Sequence, residues 1–81
     1  MNSPVIIKSN KYGIVVRLSD TLPFADLLDA VAEKFRESAH FFQDARMAVT
    51  FQGRTLTKDQ ENRLVDAIVM NSQIHIVCIV D

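Results

Sequence analysis

"TKDQENRLVDAIVM", residues 57–70, decides the fold. As a helix it makes the second half of the chain strand–helix–strand. As an irregular turn it would leave only one helix to cover the sheet. Thr57 and Gln60 stand three positions apart, the spacing of a capping box, in which two side chains satisfy each other's backbone N–H groups. Leu64, Val65, Ile68 and Val69 then recur at helical spacing as an inward stripe. Asn71 and Ser72 suit the end of the segment. The sequence therefore predicts a full helix to about Met70.

Strands are expected on both sides of it. "RMAVTF" (46–51) alternates, with Met47, Val49 and Phe51 on one side. "QGR" (52–54) is a turn. "QIHIVCIV" (73–80) is read with Ile74, Ile76, Cys78 and Val80 on one face and His75, Val77 and Ile79 on the other. Upstream, "SDTLPFADLLDAVAEKFRES" (19–38) carries Phe24, Leu27, Leu28, Val31 and Phe35 as one helical stripe. Thr21 is the expected N-cap and Pro23 lies in the first turn, where its missing N–H costs nothing. Asp26 and Asp29 sit near the positive helix N-terminus. "AHFFQD" (39–44) leaves the helix, with Phe41 or Phe42 as a core plug.

The chain opens with a hairpin. Residues 5–8 and 14–18 read as strands, with Val5 and Ile7 on one face and Ile14, Val16 and Leu18 on one face of the second. "SNKYG" (9–13) is the turn, with Gly13 suited to a positive φ. The order is β-β-α-β-α-β. The fold class is α/β of the two-layer α+β kind, a mixed sheet with two helices packed on one face. Any parallel crossover should be right-handed. Residues 1–81 form a single domain.

Charge is unevenly placed. Residues 1–18 carry three bases and no acid, and residues 19–44 carry six acids and two bases. The formal net charge of −1 argues against a general polyanion binder. Cys78 is the only cysteine, which excludes an internal disulfide, and its place in an apolar strand suggests a buried structural thiol. No long apolar stretch marks a signal peptide, and none nears the ~20 residues of a membrane span.

Chemistry is sparse. His40 and His75 are far apart, and His75 and Cys78 differ by three positions, which puts them on opposite faces of a strand, so no metal site is expected. No Ser or Cys stands beside an oriented base, and no pocket with convergent polar groups is legible, so no catalytic residue is assigned. "QGR" is too short to cradle phosphate. Tyr12 alone is weak support for single-stranded RNA binding, and acids on both helices oppose membrane-surface binding. Neither cofactor nor nucleic acid is expected.

The second face of the sheet is the informative feature. By parity it holds Ile6, Lys8, Val15, Arg17, Ala48, Thr50, His75, Val77 and Ile79, and five of these nine are apolar. A sheet face in water normally alternates to polar, and a contiguous apolar patch marks an interface. Loops or the "HFF" segment offer a cover from within, a partner protein a cover from outside. The basic hairpin also has two readings. Cations on an edge strand deter aggregation, or they steer an acidic partner.

Three stretches carry a family resemblance: "IIKSNKYGIVVRL", "FFQDARMAVTFQGRTLTKDQENRLVDAI" and "NSQIHIVCIVD". Together they resemble the N-terminal domain of MinC, the septum site-determining protein, most like versions from Gram-positive, clostridial-type bacteria. The resemblance implies a non-enzymatic, cytoplasmic inhibitor of cell division acting on FtsZ, the tubulin-like ring protein. It also implies a C-terminal β-helical domain, absent here, that dimerises and binds MinD, the ATPase that recruits the protein to the membrane. The family often has Lys then Gly at the end of the first strand, a spot linked to FtsZ inhibition. Lys8 matches the Lys, Ser9 replaces the Gly, and Lys11 matches a second basic position. The candidate partner-binding set is Ile6, Lys8, Ser9, Lys11, Tyr12, Val15 and Arg17. A homodimer through the outer face is a further possibility. The alternative fold is a ubiquitin-like β-grasp adaptor, with a short irregular turn where residues 57–70 read as a helix.

Overall fold

A computed structural model describes residues 4–11, 13–42 and 45–80. The chain forms β1 (Val5–Ser9), β2 (Gly13–Leu18), α1 (Phe24–Ser38), a 3-10 turn (Ala39–Phe42), β3 (Arg46–Gln52), α2 (Lys58–Asn71) and β4 (His75–Val80). One four-stranded sheet runs in the order β1-β2-β3-β4. β1 is antiparallel to β2, and β2, β3 and β4 are parallel to one another. Both parallel connections contain a helix, as a parallel pair requires. The fold is the mixed sheet with two helices that the sequence predicts.

Helix α2 settles the alternative. Thr57 Oγ1 accepts from the Gln60 N–H at 3.1 Å, and Gln60 Oε1 accepts from the Thr57 N–H at 3.0 Å. The helix then runs 14 residues. An irregular turn is excluded, and with it the β-grasp reading. At the other end Asn71 Nδ2 donates to the Ala67 carbonyl at 2.7 Å and Ser72 Oγ to the Ile68 carbonyl at 2.6 Å. Both side chains fold back onto carbonyls of the last helical turn.

The helices share one apolar face with the sheet. Leu27, Val31 and Phe35 of α1 and Leu64 and Ile68 of α2 are buried against Val5, Ile14, Val16, Leu18, Val49 and Ile74. Removing a ring such as Phe35 from such a packed site costs about 3–5 kcal/mol. Phe42 packs against this core and meets the Phe35 ring at 6.3 Å between centroids. Phe41 is 78% exposed, so Phe42 is the plug. Val69, expected inward, is exposed because it lies beyond the edge of the stripe defined by Leu64 and Ile68.

Two local expectations are corrected. The N-cap of α1 is Pro23, without a side-chain cap, and not Thr21. With Thr21 as N-cap, Leu22 would be the first helical residue. Leu22 precedes a proline, whose ring pushes it out of the α region. Ser19 Oγ takes the loop N–H groups instead, at 3.2 Å from Thr21 and 3.3 Å from Leu22. Gly13 is likewise not the positive-φ glycine. That is Gly53, at φ 100°, in the β3–α2 turn. A Cβ on Gly53 would strike the Leu18 carbonyl. Beside it, Arg54 Nη1 donates to the carbonyls of Ser19 and Leu22 at 3.1 and 2.8 Å, clamping the β2–α1 loop to this turn.

Thr57→Ala should lower stability by about 1 kcal/mol, as loss of an N-cap does, and the melting temperature by about 4–8 °C. Gly53→Ala should cost more than about 1 kcal/mol, because its backbone conformation disfavours a side chain. Calorimetry checks both. A neutral Gly53→Ala would refute the close approach to Leu18.

Candidate protein-binding face

The face away from the helices is built in rows across the sheet. One row is Ile6, Arg17 and Gln52. The next is Lys8, Val15, Thr50 and Val80. The third is Gly13, Ala48 and Cys78. The last is Arg46 and His75. Register partners sit about 4.8 Å apart, so each row is a line of touching side chains.

The row contents differ from strict parity at β4. Met47 pairs with Ile76, but Ala48 pairs with Cys78, so the strand bulges at Val77. A bulge places two residues opposite one and reverses the parity beyond it. Ile79 therefore packs on the helix side, and Cys78 and Val80 turn outward. The expected buried thiol is an exposed one. Val77 is 61% exposed and Val80 46%.

The hairpin candidates fall as follows. Ile6 and Lys8 point away from the helices, Ile6 being 42% exposed. Ser9 and Lys11 are exposed, Val15 is half-buried on the outer face, and Arg17 is exposed opposite Ile6. Tyr12 lies outside the described residues. The turn is held by the Asn10 N–H donating to the Gly13 carbonyl at 2.9 Å and by the Gly13 N–H donating to Asn10 Oδ1 at 3.0 Å. Gly13 is required for a reason unrelated to turn geometry. A Cβ there would collide with the Ala48 carbonyl of the next strand.

Charge separates between the two layers. The outer-face rows carry the cations Lys8, Arg17 and Arg46 and, among the described residues, no acid. The two helices carry seven acids, Asp26, Asp29, Glu33, Glu37, Asp59, Glu61 and Asp66, against four bases, Lys34, Arg36, Lys58 and Arg63. The ion pairs Glu33–Arg36 and Asp59–Arg63 both lie there. Arg46, Cys78 and Val80 belong to the bare face and escaped the sequence reading of it. Within "IHIVCIV" nearly every position is apolar, so periodicity has no contrast by which to reveal a bulge.

Two clefts border this face. The larger, about 740 Å³ and open, lies at the β2–α1 loop and includes Ile6, Arg17, Asp20 and Gly53. A smaller depression of about 210 Å³ lies mid-face over Gly13 and Ala48. Among the described residues no group of three or more His, Cys, Asp or Glu side chains is placed to hold a metal. No described helix is long and apolar enough to cross a membrane.

The arrangement defines a small two-layer α/β domain whose helices cover one sheet face and leave an apolar, cationic face bare. The family described as "Cell-division inhibitor MinC, N-terminal domain-like" matches residues 5–79, and the chain belongs to it. It is similar to proteins named "Probable septum site-determining protein MinC". The one from Agathobacter rectalis is 48% identical over 81 residues, covering 100% of this chain and 33% of that protein. The one from Lachnospira eligens is 41% identical with the same coverage. The one from Fusobacterium nucleatum is 38% identical over 74 residues, 91% of this chain and 34% of that protein. The chain thus spans about a third of the length of these curated relatives. No solved structure matches it significantly.

The bulge makes Cys78 a probe of the register. Ellman's reagent should titrate the single thiol in the native protein at a rate within about tenfold of the unfolded chain's. A thiol released only by denaturant would rule out the outward placement.

Proposed function

We propose that this domain is a non-enzymatic inhibitor of cell division that binds FtsZ through the β1–β2 hairpin and the adjoining sheet face, and so antagonises FtsZ filaments. The observation that carries this reading is the outer face, cationic and apolar together, with Lys8 and Ile6 at its β1 edge. Family membership and the relatives' names supply the cellular context. Lys8 and Lys11 steer the domain towards acidic groups on FtsZ, and Ile6 and Val15 lose water against it. Ser9, Tyr12 and Arg17 complete the contact set. Recruitment of the cytoplasmic protein to the membrane by MinD, and its dimerisation, belong to a further C-terminal domain.

The magnitudes favour a transient contact. The strands, about 4.8 Å apart and about five residues deep, make a footprint of roughly 300 Å². A standard stable interface buries about 800 Å² per partner. Such a surface suits reversible action on filaments, with charge setting the encounter rate.

Co-pelleting of FtsZ filaments tests the proposal. Lys8→Glu with Lys11→Glu should abolish inhibition, because reversal replaces attraction with repulsion, whereas one rim pair is worth only about 0.2–1 kcal/mol. Wild-type inhibition should weaken as salt rises, since these charges are exposed. Full inhibition by the double variant would refute the proposal.

A further inference from the structure

We infer that the mid-face depression over Gly13 and Ala48 is a docking pocket for one protruding apolar side chain on an acidic protein surface, with Lys8, Arg17 and Arg46 around it as the charged rim. The inference rests on the FtsZ reading above and extends the contact from the hairpin to the far edge of the sheet.

Three observations meet at this spot. The depression is bounded by Asn10, Val15, Thr50 and Val80, with Gly13 and Ala48 beneath. Its volume, about 210 Å³, is several times the roughly 30 Å³ share of one water molecule, so it takes a large side chain. Its floor is low because β2 and β3 meet at their smallest residues. Gly13 pairs with Ala48, and the Ala48 carbonyl occupies the space of a Cβ on Gly13. Its far wall is Val80, the register partner of Thr50. The bulge at Val77 puts Val80 there in place of the larger Ile79, which an unbroken strand would set opposite Thr50.

The occupant follows from charge. The described outer-face rows carry cations and no acid, whereas the two helices carry seven acids against four bases and are net acidic. An acidic surface is therefore drawn to the sheet and repelled from the helices. A second copy meeting this one sheet to sheet would bring its own cationic rim against it and is disfavoured, and a copy docking its acidic helix layer instead would show as a dimer in the sedimentation below. A small interface needs a concentrated anchor, and anchors sit in central, desolvated pockets ringed by polar groups. The Gly13–Ala48 depression is open in the free domain and lies between the rows of the face, and Val15, one of its walls, is the register partner of Lys8.

Ala48→Leu fills the depression from an outward-facing position and tests the pocket directly. Expected is at least a tenfold loss of affinity for purified FtsZ, with the melting temperature kept. A second measurement uses the unaltered chain. Cys78, the register partner of Ala48, should be alkylated by a bulky maleimide at least fivefold more slowly in the presence of saturating FtsZ, read by mass spectrometry of this chain. Protection stands as support even if Ala48→Leu fails to fold.

If Ala48→Leu folds and binds normally and Cys78 stays reactive while Lys8→Glu with Lys11→Glu abolishes binding, the pocket is overturned and the FtsZ reading survives. If the wild-type domain does not bind FtsZ at all, the FtsZ reading fails and takes this inference with it. If Cys78 is protected without FtsZ, and sedimentation shows a dimer, a second copy is the occupant and the acidic-partner assignment is overturned.

Discussion

The structure depends on the parallel pairing of β2 with β3. Ile14, Val16 and Val49 from these two central strands are buried under the helices and tie the sheet to α1 and α2. The close approach of the backbones at Gly13 and Ala48 fixes how the two strands meet. Arg54 secures the same pair at its other end by holding the carbonyls of the β2–α1 loop. Edge strands β1 and β4 add to this centre, and each adds one feature to the bare face: the basic hairpin on one side and the bulge on the other.

Two helices are enough for only one face of four strands. An 81-residue chain buries a limited share of its surface, and here that share is spent on a single core. The other face keeps Ile6, Val77 and Val80 in water. Placing the acids on the helices makes the two sides electrostatically unlike, so a charged partner meets them in a preferred orientation. The packed core thus lies in one layer and the bare face in the other, so substitutions on that face other than at Gly13 leave the core contacts in place.

Much of this was legible in the chain. The Thr57–Gln60 box, the Leu27–Val31–Phe35 stripe and the alternation in β2 and β3 each present a clear period with a polar contrast, and each element formed where it was expected. The errors fall where contrast is missing or a neighbour intervenes. Thr21 looked like a cap until the proline two residues later excluded Leu22 from the helix. Gly13 looked like a turn glycine because a strand's demand for close packing leaves no local trace. Phe41 and Phe42 are alike in sequence, and only contact with Phe35 tells them apart.

The sequence by itself determined the order of elements, the helix stripes, the family and the cationic hairpin, because these depend on spacing along one chain. The tertiary structure alone decided which residues share the bare face. The bulge at Val77 is set by how β4 meets β3, and it moves Cys78 and Val80 outward and Ile79 inward. In a run as uniformly apolar as "IHIVCIV" either parity buries oil, so only the partner strand could choose.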